Sequence, residues 1–575
     1  ELLKVIENDD KAKASLRRRL VDEIEIGDVD DKAFLAQPDV AATINRLATE
    51  LYPQMHKTSI EATMNDIRTI RKLEKELGLT KSVSIGIEER HIDNKVHKDF
   101  PSTVLGSITL SQSILKLAKA EGLVAHSKIS LQTGAMHGLG GTVDFGIFER
   151  HVRHADKIGV AVFVQHGAST LAKHDFDQMR DGDVGEVHLA TEYQKIVFSI
   201  VAQEYPELAE KMAQWLEAKM ANEQKFKDKY QAFWDAAMAQ PGKDRATVIA
   251  EILGDSSNLP KDLKGKFKDL VKELSAPFKS ELWNLPENVA DKIDSALYEE
   301  FKLIFGKLGV VNTKDLIEKI MPYDAYPVEL TPRPASVATV FAQTMTVSPE
   351  EQFVQDLSGI IEVTPTEVKV LDKGLFMAKG LYVLAEAIAL SPSADVKTAA
   401  KRIALELLPQ FDIKAASDHD LYMAKQQGKW KNITVPAVNG RSTVFMSFRP
   451  MFRVAKEEDV GVIKTEVARS EMRYSAQDSG EIVAISGLAA IAEGWTGLLF
   501  VQQDHNQIDK DKYNKGGEER QKEIDARNKL FREGIIAGQY NIDLDPSTLV
   551  DETALAEIIK IEGELVSTNR LTGAA

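Results

Sequence analysis

Short apolar runs that alternate with helical sequence constrain the fold more than any other feature of this chain. Four of these runs lie between residues 82 and 190, namely SVSIGIE, KISLQT, AVFVQ and GEVHLA. Four more lie between residues 433 and 545, namely ITVPAV, VGVIKTEVA, LLFVQQ and YNIDLD. Each run has the length of a buried strand, and helical sequence follows it. This alternation is typical of parallel sheets covered by helices.

The eight units predict an α/β fold in which one parallel sheet closes on itself. Eight β-α units make a (β/α)8 TIM barrel, whose active site lies where the carboxyl ends of the strands meet. Two separate α/β domains of four strands each would give the same pattern. We take the single barrel as the leading interpretation, with large additional helical regions around it.

The chain divides into five segments by the character of its sequence. Two of them carry the strands, and the other three have apolar residues at helical spacing. A proline-rich stretch near residues 321–334 marks one of the boundaries. The predicted segments are 1–80 (helical), 81–200 (four strands), 201–322 (a helical extension), 323–430 (mainly helical) and 431–575 (four strands).

Composition excludes several classes of function. The net charge of −16 argues against a nucleic-acid partner, because a phosphate backbone requires a basic surface. No apolar run approaches the roughly 20 residues that span a bilayer, so we expect no membrane partner. The chain has no cysteine, which excludes disulfides and thiolate chemistry and fits a cytoplasmic protein. We therefore expect a small-molecule substrate, and the helical additions indicate a homo-oligomer.

Histidines and acids gather where the predicted strands end. Glu88 ends the first run, and His137 follows the second run after a glycine turn. His166 follows the third run directly, and Asp504 and His505 follow LLFVQQ. In a barrel these strand ends face one another, so three imidazoles and an acid could hold a first-row divalent cation. Such a site leaves one ligand position open for substrate.

Other histidines receive no functional role from the sequence. The chain has 12 histidines, and a single histidine near a strand is usually a hydrogen-bonded residue of the core or surface. We interpret His188, inside GEVHLA, and His91, after Arg90, in this way.

Small residues after the third and fourth runs predict an anion subsite. Gly167, Ala168 and Ser169 allow backbone N–H groups to approach an anion, and the Ser169 hydroxyl adds a donor. Thr191 follows the neighbouring run. Phosphate commonly binds at the loops after the last two strands of a barrel. An ordinary tight turn is the alternative.

The strand-end motifs together resemble one enzyme family. They are QDH (503–505), GAMHG (134–138), QHGAST (165–170), ATE (190–192), DPS (545–547) and VPAVN (435–439). In these motifs the chain resembles the class II, metal-dependent fructose-bisphosphate and tagatose-bisphosphate aldolases. EVARSEM and APFKSELWNLP are similar to the longer, aldolase-like members. The resemblance covers about two-thirds of the chain.

The order of the motifs differs from that of the family. Strands one to four of the family match the runs between residues 433 and 545, and strands five to eight match those between 82 and 190. The chain therefore looks circularly permuted, which a barrel tolerates when its ends lie close together at the surface. The sequence does not separate a genuine permutation from segments numbered out of their natural order.

The resemblance implies a metal-dependent lyase of carbohydrate metabolism, such as glycolysis. His505, His137 and His166 would hold zinc or another divalent cation, with Glu88 near the metal. Asp504 would be the general acid and base at the hydroxyl beside the bond that breaks. The metal would polarise the ketone of a phosphorylated ketose and stabilise the enediolate left by cleavage. A monovalent cation is a further cofactor that the resemblance allows.

The resemblance also implies a set of residues that contact the substrate. They are Gly138, Gly167, Ser169, Thr191 and Asp545.

Three positions depart from the family pattern. Arg90 and Thr170 stand where the family has glycine, and His188 stands where it has asparagine. Two other functions therefore stay open. One is a catalytically silent aldolase-like subunit with a role in assembly, and the other is a metal-dependent hydrolase on the same barrel.

Overall fold

The computed structural model describes residues 37–90, 101–134, 143–254, 269–328 and 349–573. Within these ranges the chain forms eleven strands. They are β1 (Ser84–Glu88), β2 (Lys128–Ser130), β3 (Val162–Gln165), β4 (Glu186–Leu189), β5 (Ile361–Val363), β6 (Val368–Val370), β7 (Ile413–Ala415), β8 (Val435–Val438), β9 (Lys464–Ala468), β10 (Gly497–Gln507) and β11 (Asn541–Asp545).

Eight of these strands close into a parallel barrel. The order around the ring is β1, β2, β3, β4, β8, β9, β10 and β11, and β11 pairs with β1. Two pairs of strands join the blocks, β4 with β8 through Val187 and Pro436, and β11 with β1 through Asn541 and Ser84. The prediction of one α/β barrel with many added helices, and not two separate domains, is confirmed.

The closed ring does not test the predicted circular permutation. Strands follow one another around the barrel in chain order within each block, and the two blocks meet at both ends. A closed ring has no first strand, so the same ring forms whichever block comes first in the chain. The permutation relative to the class II aldolases therefore stays a prediction.

Three short strands lie in the segment 323–430, which the sequence predicts as mainly helical. β5 and β6 form an antiparallel hairpin, and β7 pairs in parallel with the first residues of β10 through Ile413 and Gly497. The strand β7 therefore extends the sheet at the amino end of β10, outside the ring. Each of these strands has only three residues, which is too short for an apolar pattern to predict.

Helices surround the barrel and form the remaining segments. No helix in the described ranges combines the length and apolarity needed to cross a membrane. The α-helices are Pro38–Arg46, Tyr52–Leu77, Val104–Ala120, Phe145–Arg153, Ala155–Ile158, Lys173–Asp181, Thr191–Glu204, Pro206–Asn222, Gln224–Met238, Arg245–Leu253, Lys279–Trp283, Glu287–Leu308, Lys314–Ile320, Pro349–Leu357, Lys373–Leu375, Leu381–Leu390, Ala394–Leu407, His419–Gln426, Val444–Glu457, Arg469–Tyr474, Ser479–Glu493, Lys510–Lys515, Gly517–Ala537 and Glu552–Gly573.

Charged side chains fill the middle of the barrel, where branched apolar residues are usual. Lys128 Nζ lies 2.6 Å from Glu186 Oε1 and 2.9 Å from Asp543 Oδ1. Lys464 Nζ lies 2.7 Å from Glu186 Oε2 and 2.6 Å from Asp418 Oδ2. All five residues are buried. Because an unpaired charge is costly to bury, each lysine and its carboxylates depend on one another.

The absence of a side chain at Gly86 makes room for this network of ion pairs. A Cβ atom at Gly86 would lie 2.2 Å from Asp543 Oδ1 and 2.7 Å from Lys128 Cε. Both side chains are held by buried ion pairs and have little room to move. We therefore expect Gly86→Ala to lower the free energy of unfolding by about 1–3 kcal/mol, measured by urea denaturation.

Gly306→Ala is the matched control for this change. Gly306 lies in the helix Glu287–Leu308, and a Cβ there would meet nothing within 4 Å. We expect this change to raise the free energy of unfolding by about 0.5 kcal/mol, because alanine is more favourable than glycine inside a helix. An unfolding midpoint for Gly86→Ala at or above that of Gly306→Ala would contradict the assigned packing.

Candidate metal centre at the mouth of the barrel

A bulge in β10 directs two successive side chains into the barrel. The pairing of β10 with β11 shifts register between Gln503 and Asn506, and His505 has a positive φ of 42°. Successive residues of a regular strand face opposite sides of a sheet, so a regular β10 would turn either Asp504 or His505 away. The bulge supplies the extra residue that brings both to the mouth.

Four residues that the sequence predicts for the site come together here. His505 Nδ1 lies 2.5 Å from Glu88 Oε1, and His505 Nε2 lies 2.8 Å from His166 Nδ1. Asp504 Oδ2 lies 3.8 Å from His505 Nε2. One potential ligand atom from each of the four residues lies within 4.8 Å of the others, so this cluster could hold a metal ion.

The geometry of the two imidazoles fits a divalent cation. Two nitrogens bound at about 2.0–2.1 Å to one tetrahedral ion are about 3.3 Å apart. His166 Nδ1 and His505 Nε2 share a hydrogen bond of 2.8 Å, and a small separation of the two rings would make room for a cation in place of the proton between them. Glu88 Oε2 is buried without a hydrogen-bond partner, and a nearby cation would compensate for the missing interaction. The Glu88 contact on Nδ1 also orients the His505 ring.

The surroundings of this cluster raise the pKa values of His505 and Glu88. Burial lowers the pKa of His505, but the carboxylates of Asp504 and Glu88 outweigh it and raise that pKa well above its ordinary value. Burial and the neighbouring Asp545 raise the pKa of Glu88 to about 8. Without a cation the site therefore retains protons, and a bound cation would displace them.

His188 lies inside the site, although the sequence analysis assigns it no role. Its ring centroid is 4.0 Å from that of His166, and its side chain is 4 % exposed. His188 Nε2 lies 2.7 Å from Glu186 Oε1. A signal for this position exists in the sequence, since Glu186 and His188 alternate in β4 and must share the inner face. That alternation becomes informative only when β4 is known to line a barrel.

Three residues of the predicted anion subsite lie together beside the histidines. The Ser169 hydroxyl accepts a hydrogen bond of 3.1 Å from the Thr191 backbone N–H, where the helix Thr191–Glu204 begins. Gly167 has a positive φ of 68°, which favours glycine at this turn. Gly167, Ser169 and Thr191 all line the same cleft as His188 and Asp504.

Of the remaining histidines and predicted substrate contacts, Asp545 lies in the described part of the chain and the others do not. Asp545 is fully buried, and its Oδ1 accepts a hydrogen bond of 3.0 Å from the Ser547 backbone N–H. Its Oδ2 lies 3.7 Å from His505 Nδ1, so Asp545 is placed behind His505 and contacts that ring. His137 and Gly138 lie outside the described residues, as does His91.

A cleft of about 1040 Å³ opens over the cluster. Its walls include Lys272, which the helical extension 201–322 contributes, and Arg441 from the loop after β8. Arg441 Nε lies 3.0 Å from Glu471 Oε1, so this guanidinium is held in place. Burial and the nearby Arg441 lower the pKa of Lys272. The extension therefore forms part of the site and not only of the outer surface.

Comparison with protein-family models, with curated proteins and with solved structures found no match for this chain. The resemblance to class II aldolases therefore depends on the motifs alone, and function is argued below from the geometry of the site.

Proposed function

We propose that the protein is a divalent-metal-dependent aldolase that cleaves or forms a carbon–carbon bond in a phosphorylated ketose. The observation that carries the proposal is the position of Asp504 beside the facing imidazoles of His166 and His505. Zinc is the cation we propose, because histidine nitrogen and carboxylate oxygen are ligands that it accepts.

The proposed roles follow from the contacts of each side chain. His166 and His505 would hold the cation. Glu88 would orient His505 and add a negative charge beside the cation. When bound, the cation would polarise the substrate carbonyl and stabilise negative charge that develops on its oxygen. His137 is proposed as a further ligand on the resemblance alone.

Asp504 would move the proton of the substrate hydroxyl. Burial raises the pKa of Asp504, but the imidazoles of His505 and His188 outweigh it and hold that pKa well below its ordinary value. A bound cation would replace the His505 proton as the positive charge beside this carboxylate, which would therefore be ionised and able to accept a proton. The carboxylate also lies on the cleft, where a substrate hydroxyl can reach it.

A phosphate group of the substrate would bind at Gly167, Ser169 and Thr191. The helix Thr191–Glu204 begins at this part of the cleft, and the amino end of a helix favours an anion. The distance from this subsite to the cation would then select the length of the sugar phosphate. Because the chain has no cysteine, we place the enzyme in the cytoplasm.

The test is metal content together with turnover of fructose 1,6-bisphosphate and tagatose 1,6-bisphosphate. We expect triose phosphates as products. Removing the metal with EDTA should lower the rate by about 10²–10³-fold, and Zn²⁺ should restore it, since the cation contributes several kcal/mol to the barrier. His174→Ala is the control, because His174 is an exposed histidine with 73 % side-chain exposure.

Three other outcomes would contradict the proposal in different ways. Release of inorganic phosphate without carbon–carbon cleavage would favour the hydrolase. A metal-loaded protein that turns over neither sugar would favour the silent subunit. Full activity after EDTA treatment would exclude the metal mechanism.

A further inference from the structure

The bulge in β10 holds His505 in a backbone conformation that residues other than glycine seldom adopt. The φ angle of His505 is 42°, in the left-handed region. Such a conformation persists only where the surrounding structure fixes it. Asp504 and His505 both reach the mouth of the barrel through this bulge. Whatever fixes the bulge therefore also sets the direction of both side chains.

A buried arginine of the following helix binds the backbone of the bulge. Arg527 lies in the helix Gly517–Ala537, and its Nη1 donates a hydrogen bond to the backbone carbonyl of Asn506, the residue after His505. Arg527 is 2 % exposed and Asn506 is 1 % exposed. An arginine is rarely buried to this extent unless its charge is paired, and a buried carbonyl needs a donor. The contact satisfies both requirements.

The same guanidinium is anchored to a helix outside the barrel. Arg527 Nη2 donates a hydrogen bond to Asp66 Oδ2, and Asp66 lies in the helix Tyr52–Leu77. The side chain of Asp66 is 6 % exposed, so the ion pair is shielded from water. The planar fork of arginine reaches two acceptors in fixed directions, whereas lysine presents a single flexible ammonium. The fork therefore ties the bulge to the helix Tyr52–Leu77 and restricts its movement.

Two further contacts hold the neighbouring backbone. Asn506 Nδ2 donates a hydrogen bond of 3.3 Å to the Gln503 carbonyl and so closes the bulge on itself. Arg469 Nη1 donates a hydrogen bond of 3.0 Å to the next carbonyl, that of Gln507. Arg469 also lines the cleft, so a change there would alter the walls of the site as well. Arg527 is buried, and its replacement tests the support of the bulge more directly.

We propose that Arg527 is a positioning residue, which aims Asp504 and His505 into the barrel by fixing the Asn506 carbonyl. It acts through the backbone of the bulge. Through Asp66, the helix Tyr52–Leu77 becomes part of the same support, although it lies outside the ring. The inference rests on the proposed function for what Asp504 and His505 do, but not for how they are held.

The first measurement is the binding of Co²⁺ to the full chain, together with its visible absorption, whose intensity depends on the arrangement of the ligands. Arg527→Lys keeps a positive charge near Asp66 but loses the fork. We expect it to weaken Co²⁺ binding by about 10–100-fold, the usual effect of changing a group that orients a metal ligand, and to alter the spectrum. A purely structural role would move neither quantity in the folded variant.

Arg532→Lys is the matched control. Arg532 lies in the same helix, and its Nη1 is 3.1 Å from Glu76 Oε2 of the helix Tyr52–Leu77. This pair joins the same two helices at an exposed position, since the Arg532 side chain is 51 % exposed. We expect the Co²⁺ affinity and spectrum of Arg532→Lys to match those of the wild type.

The second measurement is hydrogen exchange of residues 497–507, made in EDTA and so independent of any cation. Arg527→Lys should exchange about tenfold faster in this segment, as expected for the loss of one hydrogen bond to a charged group. Arg532→Lys should exchange like the wild type.

The outcomes separate this inference from the proposed function. Folded Arg527→Lys with the Co²⁺ affinity, spectrum and hydrogen exchange of the wild type would overturn the inference and leave the aldolase in place. If Arg527→Lys does not fold by circular dichroism, Asp66→Asn decides, because it keeps the arginine and weakens its anchor; wild-type binding and exchange in that variant would overturn the inference. A wild type that binds no Co²⁺ would reject the metal enzyme, and faster exchange in Arg527→Lys would still support the role of Arg527.

Discussion

Asp504→Asn will lower kcat for ketose cleavage by about 10²–10⁴-fold, the usual contribution of a positioned acid or base. Asparagine has the shape of aspartate and keeps an oxygen toward His188, but it cannot accept the hydroxyl proton. Glu88, His166 and His505 contact one another directly, so we expect the cation they hold to remain. The loss should therefore fall on kcat, with KM changed little.

The measurement is steady-state kinetics on the zinc-loaded variant across pH, with metal content determined on the same sample. Asp525→Asn is the control, because this substitution removes the same charge at an exposed position on the helix Gly517–Ala537. Activity of Asp504→Asn within threefold of wild type, about 0.6 kcal/mol, would exclude Asp504 as the acid or base. Loss of all bound metal would instead make Asp504 a ligand that the metal centre requires.

Lys128→Met will lower the free energy of unfolding by about 3–5 kcal/mol, the usual cost of removing one partner of a buried ion pair. Lys128 Nζ contacts Glu186 Oε1 at 2.6 Å and Asp543 Oδ1 at 2.9 Å, and its side chain is fully buried. Methionine occupies a similar volume but leaves Asp543 without its lysine. The cost is electrostatic and not a loss of packing.

A double-mutant cycle in urea denaturation measures this effect. Asp543→Asn in the Lys128→Met background should recover part of the lost stability, because it removes the uncompensated charge. Lys72→Met is the matched control, since Lys72 has 77 % side-chain exposure, and should change stability by at most about 0.5 kcal/mol. Equal effects of the two lysine changes would contradict the central role of Lys128.

The strands of the barrel could be predicted because their signal is local. Each run of apolar residues is short, continuous and followed by a helix, and all eight are strands of the ring. The three short strands between residues 361 and 415 carry no such signal. Whether the two blocks formed one ring or two domains depended on pairing between distant segments, as between β11 and β1.

The residues of the candidate site likewise fall into those that the local sequence predicts and those that only strand pairing reveals. Glu88, His166, Asp504 and His505 were predictable because each stands at the end of an apolar run, where a barrel gathers its chemistry. His188 was not, because it lies within a run, and only the ring places it beside His166. The same holds for Lys128 and Lys464, whose charges inside strands make sense only with Glu186 between them.

Hydrophobic spacing and strand termini depend on neighbours along the chain, so the local sequence is enough to specify the eight strands and the residues that end them. The inward direction of both Asp504 and His505 depends instead on strand pairing, through the bulge in β10. The tertiary structure also decided that His188 joins them. These are outcomes of pairing and burial across hundreds of residues, where the cost of an unpaired charge selects which side chains meet.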